Sequence, residues 1–276
     1  MKKAKLLLSA MAVMALAGGS AVAFSERLKH VGYTFKSDKI TSPVRLCVLS
    51  DLHSSFYGED QKKLIEMVKM LNPDLVLMPG DMVDNRTIND AAYILCRQLS
   101  GRFPCIFVSG NHEFYNSNEI EIKRRLRESG VTVLEGQRLD VMAGNDTVSV
   151  IGIDDPDIPL DPKGRIWEQQ FEDVSASMDK SKLNILLTHR PELVDFYRET
   201  NADIILAGHA HGGQVIIPKL INGLYSPHQG MFPKYAGGSY ELKKGQNLVV
   251  SRGLSKYNRP RVFNRPEVVT VDILPG

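Results

Sequence analysis

Three oxygen-bearing side chains stand at regular intervals in the first half of the chain, each at the end of an apolar run. Asp51, Asp81 and Asn111 follow these runs, and Asp81 and Asn111 each lie thirty residues after the one before. Thirty residues is about the length of one β-α-β unit, so the three runs are predicted to be parallel strands. Because the carboxyl ends of parallel strands share one edge of a sheet, the three side chains are predicted to meet in one crevice.

Histidines extend this set into the second half of the chain. His189 ends one apolar run, His209 and His211 follow another, and His53 lies two residues after Asp51. In extended backbone, alternate side chains point to the same side, so the residues of each D-x-H or H-x-H pair are predicted to act together. Carboxylate, amide and imidazole donors in one site favour Mn²⁺, Fe²⁺ or Zn²⁺ over Ca²⁺.

Five short blocks of sequence carry these residues in a recognisable order. They are Ser50-Asp51-Leu52-His53, Gly80-Asp81-Met82-Val83-Asp84, Gly110-Asn111-His112-Glu113, Thr188-His189 and Gly208-His209-Ala210-His211. In this order the blocks resemble the signature of the calcineurin-like metallophosphoesterases, from about residue 44 to the C-terminus. The segments 208–214 and 251–254 further resemble a bacterial branch with an N-terminal export or anchor segment, which includes lipid-nucleotide pyrophosphatases.

The resemblance implies a site for two divalent ions. Each ion would have three ligands that it does not share. These are Asp51, His53 and His211 for the first ion, and Asn111, His189 and His209 for the second. Asp81 would bridge the two ions. His112 would assist the leaving group, and Asp84 would orient the imidazole of His112. Glu113 is predicted to have either a structural or a functional role.

A two-metal site of this kind predicts a phosphohydrolase. Two ions about 3.5–4 Å apart neutralise the charge of a phosphoester and generate hydroxide from a bridging water near neutral pH. The predicted substrate is a phosphodiester or a pyrophosphate, small or lipid-linked, with a UDP-diacylglucosamine type of substrate as one alternative. A nuclease is a weaker alternative, because a net charge of +2 offers no broad basic surface for nucleic acid. A non-catalytic scaffold is the weakest, since the ligand set is intact.

Substrate contacts are less well defined by the sequence. A basic segment near the C-terminus holds Arg252, Lys256, Arg259, Arg261 and Arg265 without an acidic residue before Glu267. It is predicted either to bind a second phosphate or a lipid-head anion, or to be a solvated loop. The loop 224–235 is either a lid or a packed connection. Arg252 and Tyr225 are the predicted substrate contacts.

The N-terminus predicts export. Residues 1–5 are basic, residues 6–17 are apolar, and Ala21-Val22-Ala23 is a cleavage signature. Residues 1–23 are therefore predicted to be a signal peptide or a retained anchor that places the protein outside the cytoplasmic membrane, with a possible membrane-surface contact. Residues 24–43 are predicted to be a linker or edge segment, and residues 44–276 the catalytic domain.

The remaining pattern predicts an α/β (or α+β) fold. Strands alternate with helices up to about His211 and are followed by strands alone, which indicates a parallel β-α-β first half, an antiparallel meander at the end and a four-layer αββα sandwich. Cys96 and Cys105 are close enough in sequence to pair in an oxidising compartment, or to stay free like Cys47. Asp154, Asp155 and Asp157 are predicted to lie in a solvated loop.

Overall fold

The apolar runs that end in candidate ligands are strands of two packed sheets. The computed structural model describes residues 23–87, 89–115, 118–159, 163–256 and 261–276. The predicted signal peptide or anchor therefore lies, except for Ala23, outside the described residues, as does Arg259. Among the residues described, no helix is long and apolar enough to cross a bilayer.

The strands occupy the following ranges. They are β1 (Lys29–Ser37), β2 (Val44–Val48), β3 (Leu75–Pro79), β4 (Cys105–Val108), β5 (Thr132–Val133), β6 (Gln137–Ala143), β7 (Asp146–Gly152), β8 (Asn184–Leu187), β9 (Ile204–Ala207), β10 (Tyr225–Ser226), β11 (Gly230–Met231), β12 (Gly238–Lys243), β13 (Gln246–Val250) and β14 (Glu267–Pro275). The α-helices are α1 (Lys62–Leu71), α2 (Ala91–Ser100), α3 (Asn111–Tyr115), α4 (Glu119–Glu128), α5 (Arg165–Ser177) and α6 (Val194–Arg198).

Two six-stranded sheets form the centre of the molecule. The first has the order β1-β14-β2-β3-β4-β5 and the second β12-β13-β9-β8-β7-β6, and a two-stranded ribbon pairs β10 with β11. In the first sheet β2, β3, β4 and β5 are parallel to one another, and in the second β7, β8 and β9 are parallel. Strands β3, β4, β8 and β9 are buried along their whole length, as expected for parallel strands that are covered on both faces.

Three apolar clusters fill the spaces between the layers. One lies between the sheets and joins side chains such as Leu77 of the first sheet to Leu187 of the second. The other two bury helices α1, α2 and α4 on the outer face of the first sheet and helices α5 and α6 on the outer face of the second. The predicted αββα sandwich is therefore confirmed.

The C-terminal strands correct the predicted meander. Strands β12 and β13 form an antiparallel hairpin, but β13 then pairs in parallel with β9, while β14 crosses to the first sheet between β1 and β2. The segment Val215–Ile217, predicted as a strand, makes only single bridges through its first and last residues. Strand β1 lies at the edge of the first sheet, within residues 24–43, which are predicted to be a linker or edge segment. Strand β6 has no counterpart in the sequence prediction, because it is a half-exposed edge strand without a continuous apolar run.

The cysteines are free thiols. Cys47, Cys96 and Cys105 are all buried and unpaired. Cys96 faces the sulfur of Met78 at 3.8 Å, and Cys105 faces the carbonyl of Phe103 at 3.4 Å. The alternative of a Cys96–Cys105 disulfide is therefore not realised.

Candidate metal centre

Both sheets bring polar side chains to one edge. Strands β2, β3 and β4 of the first sheet and β8 and β9 of the second all end there, and a candidate ligand follows each strand by two or three residues: Asp51, Asp81, Asn111, His189 and His209. All five are buried, and so is His53, although carboxylates and imidazoles are seldom fully buried unless they are paired or bind a metal. The predicted convergence at the carboxyl edge is thus what the structure has.

The first group of donors consists of Asp51, His53, Asp81 and His211. One nitrogen or oxygen of each lies within 4.8 Å of the others. His53 Nε2 is 3.4 Å from Asp81 Oδ2 and 4.0 Å from Asp51 Oδ1, and His211 Nε2 is 3.7 Å from the same Asp51 oxygen. Two donors bound to one ion at about 2.1 Å are themselves roughly 3–4 Å apart, so these separations suit a shared cation.

The second group consists of Asp81, His189 and His209. His189 Nε2 is 3.2 Å from Asp81 Oδ2 and 3.2 Å from His209 Nδ1. Asn111 begins helix α3 beside them, and its Oδ1 is buried without a hydrogen-bond partner in the described part of the chain. Asp81 therefore belongs to both groups, as the sequence predicts for the bridging ligand.

The outer nitrogens of two histidines fix which nitrogen faces the cluster. His189 Nδ1 donates to the carbonyl of Pro79 at 2.7 Å, and His53 Nδ1 lies 3.0 Å from Asp84 Oδ2. The Nε2 atoms of both rings are left facing the carboxylate of Asp81, and that of His53 has no hydrogen-bond partner among the described residues. An imidazole held on one nitrogen and open on the other is the usual arrangement of a metal ligand.

The charges of these groups also fit a cation. Burial acts to lower the pKa of His189, but the carboxylate of Asp81 outweighs it and raises that pKa to about 10. Burial and neighbouring cations hold the pKa values of His209 and His211 well below the usual histidine value, while burial raises the pKa of Asp51. A proton on His189 therefore supplies positive charge beside the carboxylate of Asp81 and stabilises the cluster. A divalent ion would supply that positive charge in place of the proton.

The backbone at the ligands is not extended, which corrects one prediction. Asp51, His53, Asp81, His209 and His211 all have left-handed backbone, with φ between 45° and 65°. Each D-x-H or H-x-H pair converges because the chain turns tightly, and not because alternate side chains share one face. Left-handed backbone is uncommon outside glycine and is concentrated at functional sites, where the surrounding structure holds the strain.

Two glycines let the loops approach the carboxylates. A Cβ atom at Gly110 would collide with Asp81 Oδ1, and one at Gly208 would collide with Ser50 and with Asp51 Oδ2. Close approach of backbone to a polar site is a role that other residues cannot fill. These glycines therefore precede their ligands for a steric reason.

Glu113 secures the loop that carries the shared carboxylate. It is fully buried, and its two oxygens accept hydrogen bonds from the backbone N–H groups of Asp81, Gly110 and Val83 at 2.8–2.9 Å. Burial and the charge of Asp81 raise the pKa of Glu113 to about 7. Of the two roles left open by the sequence, the contacts favour the structural one.

His112 and Asp84 lie beside the first group. Asp84 Oδ2 is 3.0 Å from His53 Nδ1 and 3.5 Å from His112 Nδ1, so this carboxylate stands between two imidazoles. The rings of His53 and His112 meet edge to face at 4.4 Å. The sequence predicts only that Asp84 orients His112, whereas the shorter contact is to the candidate ligand His53.

Eight residues line the cleft that opens above the donors: His53, Arg86, His112, His211, Gln214, Pro227, Ser255 and Arg261. Arg261 is buried, and within the described chain its two terminal nitrogens have no hydrogen-bond partner. A solvated-loop interpretation of the basic segment is therefore wrong for Arg261. Arg86 and Gln214 were not predicted as site residues: Arg86 belongs to no motif, and Gln214 ends the segment 208–214 without a role of its own in the resemblance.

The two predicted substrate contacts, Arg252 and Tyr225, are not among the eight residues that line the cleft. Arg252 Nη2 donates to Asn222 Oδ1 at 2.8 Å, and its backbone N–H donates to Glu267 Oε1 at 2.9 Å. Tyr225 is exposed in strand β10 opposite Met231. Their role in substrate binding stays a prediction.

The acidic loop after β7 is not solvated, and this prediction was wrong for two of its residues. Asp154 and Asp155 are buried. Asp155 accepts two hydrogen bonds from Arg190, at 2.5 and 2.8 Å, and Asp157 accepts a third at 2.7 Å. Arg190 directly follows His189, so this buried ion pair fixes the loop that carries a candidate ligand.

Replacement of Asp155 by asparagine is expected to destabilise the protein by about 3 kcal/mol, because it removes the fully buried carboxylate from Arg190 and leaves the charge of this buried guanidinium to Asp157 and Glu192. Chemical denaturation would measure the change in unfolding free energy. Asp195→Asn is the matched control: Asp195 also pairs with an arginine, but its side chain is 90% exposed, so its loss should cost less than about 0.5 kcal/mol. Equal small effects at both positions would contradict the buried role of Asp155.

Fold and donor set together suit a hydrolase that binds divalent metal, and comparison with known proteins identifies the family. The family model described as calcineurin-like phosphoesterase matches residues 44–213. The chain belongs to that family, and its catalytic class is that of a metallophosphoesterase.

Curated relatives and solved structures agree with this assignment. An uncharacterized metallophosphoesterase of Campylobacter jejuni is 27% identical over 83% of this chain, which spans 59% of that relative's length. The protein YpbG of Bacillus subtilis is 26% identical over 92% of this chain and 90% of its own. A dimetal phosphatase from Danio rerio shares the fold with a TM-score of 0.51 at 13% identity, covering 79% of this chain and 90% of that chain.

Proposed function

We propose that this protein is a dinuclear metal-dependent phosphohydrolase that cleaves a phosphodiester or a pyrophosphate. The observation that carries the proposal is the position of Asp81, whose Oδ2 lies 3.4 Å from His53 Nε2 and 3.2 Å from His189 Nε2. One carboxylate oxygen is thus within reach of two donor groups. Asp51, His53 and His211 would hold the first ion, and Asn111, His189 and His209 the second.

The chain's own residues have separate tasks in such a reaction. Divalent ions bound there would neutralise phosphoryl charge and activate water. His112, with a side chain 20% exposed at the cleft, would donate a proton to the departing oxygen, and Asp84 would hold its Nδ1. Glu113 would keep Asp81 in place through its three backbone contacts. No nucleophilic serine or cysteine is required, and the three cysteines are buried away from the cleft.

Arg261 would bind an anionic oxygen of the substrate. A buried guanidinium with two unpartnered nitrogens among the described residues is costly unless an anion completes its hydrogen bonds. Among the described residues, the cleft wall that it shares with Arg86 and Gln214 contains no carboxylate. These features suit a phosphoester whose charge extends beyond the oxygens held at the metal pair.

Replacement of Arg261 by glutamine is expected to raise KM for a phosphodiester by about 10- to 100-fold, the loss of one charge-assisted hydrogen bond. Arg261→Lys should recover part of the loss, because it keeps the charge without the planar fork. Arg265→Gln is the matched control, since Arg265 in the same segment donates instead to the carbonyls of Arg27 and Leu28. An unchanged KM in a folded Arg261→Gln protein would remove Arg261 from the substrate site.

The finer identity of the substrate is also part of the proposal. A lipid-linked nucleotide of the UDP-diacylglucosamine type is the first alternative for the natural substrate. Residues 1–23 would direct export of the enzyme or anchor it at the outer face of the cytoplasmic membrane. A nuclease is the weaker alternative, given the net charge of +2. Hydrolysis rates with Mn²⁺ on a chromogenic phosphodiester, a UDP-linked lipid and single-stranded DNA would separate the three. Failure to hydrolyse any of them in the metal-loaded state would overturn the function.

A further inference from the structure

An exposed apolar patch lies beside the metal cleft. Seven large hydrophobic side chains that are 41–81% exposed belong to it: Phe24, Ile217, Leu220, Tyr225, Met231, Phe232 and Phe263. Isolated exposed hydrophobic side chains are ordinary, but a contiguous group of them marks an interaction surface. Apart from Tyr225, a predicted substrate contact, these residues have no part in the metal site or in the proposed hydrolysis.

Backbone hydrogen bonds join the segments of this patch into one surface. Phe263 donates to the carbonyl of Ala23 at 2.7 Å, and Val262 donates to that of Gln214 at 3.1 Å. Leu224 donates to the carbonyl of Gly213 at 2.9 Å, and Phe232 donates to that of Leu224 at 2.8 Å, which ties the ribbon to the same segments. Tyr225 and Met231 are cross-strand partners in the ribbon of β10 and β11. The patch also borders the cleft, because Gln214, Pro227 and Arg261 belong to the same segments.

The charged residues around the patch are mostly basic, although Glu26 is exposed two residues after Phe24. Residues 204–240 contain no aspartate or glutamate, and they include Lys219 and Lys234. Leucine, methionine and aromatic side chains rimmed by lysine are the composition of surfaces that lie in the interface of an anionic bilayer. In a symmetric dimer through this patch, the lysines of one copy would approach those of the other, which their like charges disfavour.

The preceding chain reaches the same place. Residues 6–22 carry no charged side chain, and the carbonyl of the next residue, Ala23, accepts a hydrogen bond from the backbone N–H of Phe263 in the patch. An apolar N-terminal segment held in a bilayer would therefore bring the patch to its surface. We propose that the patch rests in the headgroup region of an anionic leaflet and turns the metal cleft toward it.

Tryptophan quenching in vesicles tests this placement with the full chain. Trp167 is the sole tryptophan and is buried, so its emission gives a constant background. Phe232→Trp would place a second tryptophan in the patch, and Met142→Trp would place one at a similarly exposed position outside it (62% and 58% exposed). Both proteins are reconstituted into vesicles of phosphatidylcholine and phosphatidylglycerol, with and without brominated acyl chains.

Brominated lipid should quench the added emission of Phe232→Trp roughly twofold or more and leave Met142→Trp unchanged, since interfacial residues reach the acyl boundary. Adding Lys219→Glu and Lys234→Glu to Phe232→Trp should reduce the quenching, whereas adding Lys62→Glu and Lys69→Glu, on helix α1, should not. No quenching at position 232, or equal quenching at 232 and 142, would overturn the proposal. A blue shift without quenching would assign the patch to contact with a second copy of this chain, and would also overturn the proposal.

Discussion

Replacement of Asp81 by asparagine is expected to abolish phosphoester hydrolysis and to release both metal ions together. One oxygen of Asp81 faces both donor groups, through His53 Nε2 at 3.4 Å and His189 Nε2 at 3.2 Å. Asparagine has the same shape without the charge, so each ion loses the ligand that it shares with the other. Metal content by mass spectrometry, measured beside activity, would follow both losses.

The fold should survive this change. Asp81 Oδ1 accepts a hydrogen bond from the backbone N–H of His112 at 2.8 Å, and the carbonyl oxygen of asparagine can accept the same bond. A cooperative thermal transition in the Asp81→Asn protein would separate loss of the site from loss of folding. Two tightly bound ions in a folded but inactive variant would contradict the bridging role.

Replacement of His112 by asparagine is expected to lower turnover by roughly 10²–10⁴-fold, the usual contribution of a general acid, with both ions retained. The loss should shrink for substrates with good leaving groups, because their departing oxygen needs less protonation. Rates across a series of aryl phosphodiesters, with metal content measured in parallel, would establish the pattern. A uniform loss over the whole series would rule out proton donation by His112.

Asp84 provides an internal comparison for this prediction. Its carboxylate lies closer to His53 Nδ1, at 3.0 Å, than to His112 Nδ1, at 3.5 Å. Asp84→Asn should therefore weaken metal binding by about 10- to 100-fold, as loss of the partner of a metal-bound histidine does, in addition to slowing turnover. His112→Asn should slow turnover alone.

The candidate ligands could be predicted from sequence because strand topology determines where they meet. Parallel strands of similar length end at one edge, so Asp51, Asp81 and Asn111 at equal spacing converge whatever their loops do. The conformation of those loops could not be predicted from the sequence pattern, because the left-handed backbone at five of the ligands depends on tertiary contacts such as those of Glu113. The extended geometry assumed for the D-x-H and H-x-H pairs was wrong for that reason.

The errors elsewhere also have physical causes. A carboxylate-rich loop such as 154–157 has the composition of a solvated turn, and only the fold brings Arg190, thirty-five residues beyond Asp155, into contact with it. Likewise, a run such as Glu267–Pro275 is recognisable as a strand, but its position between β1 and β2 is a matter of long-range pairing that local sequence does not encode.

The most direct test of the account is an anomalous diffraction measurement on crystals grown with Mn²⁺. A dinuclear centre with Asp81 as the shared ligand predicts two peaks about 3.5–4 Å apart. One peak should lie against Asp51 and His211 and the other against His189 and His209, with Asp81 between them. A single peak, or two peaks that do not share Asp81, would contradict a dinuclear centre.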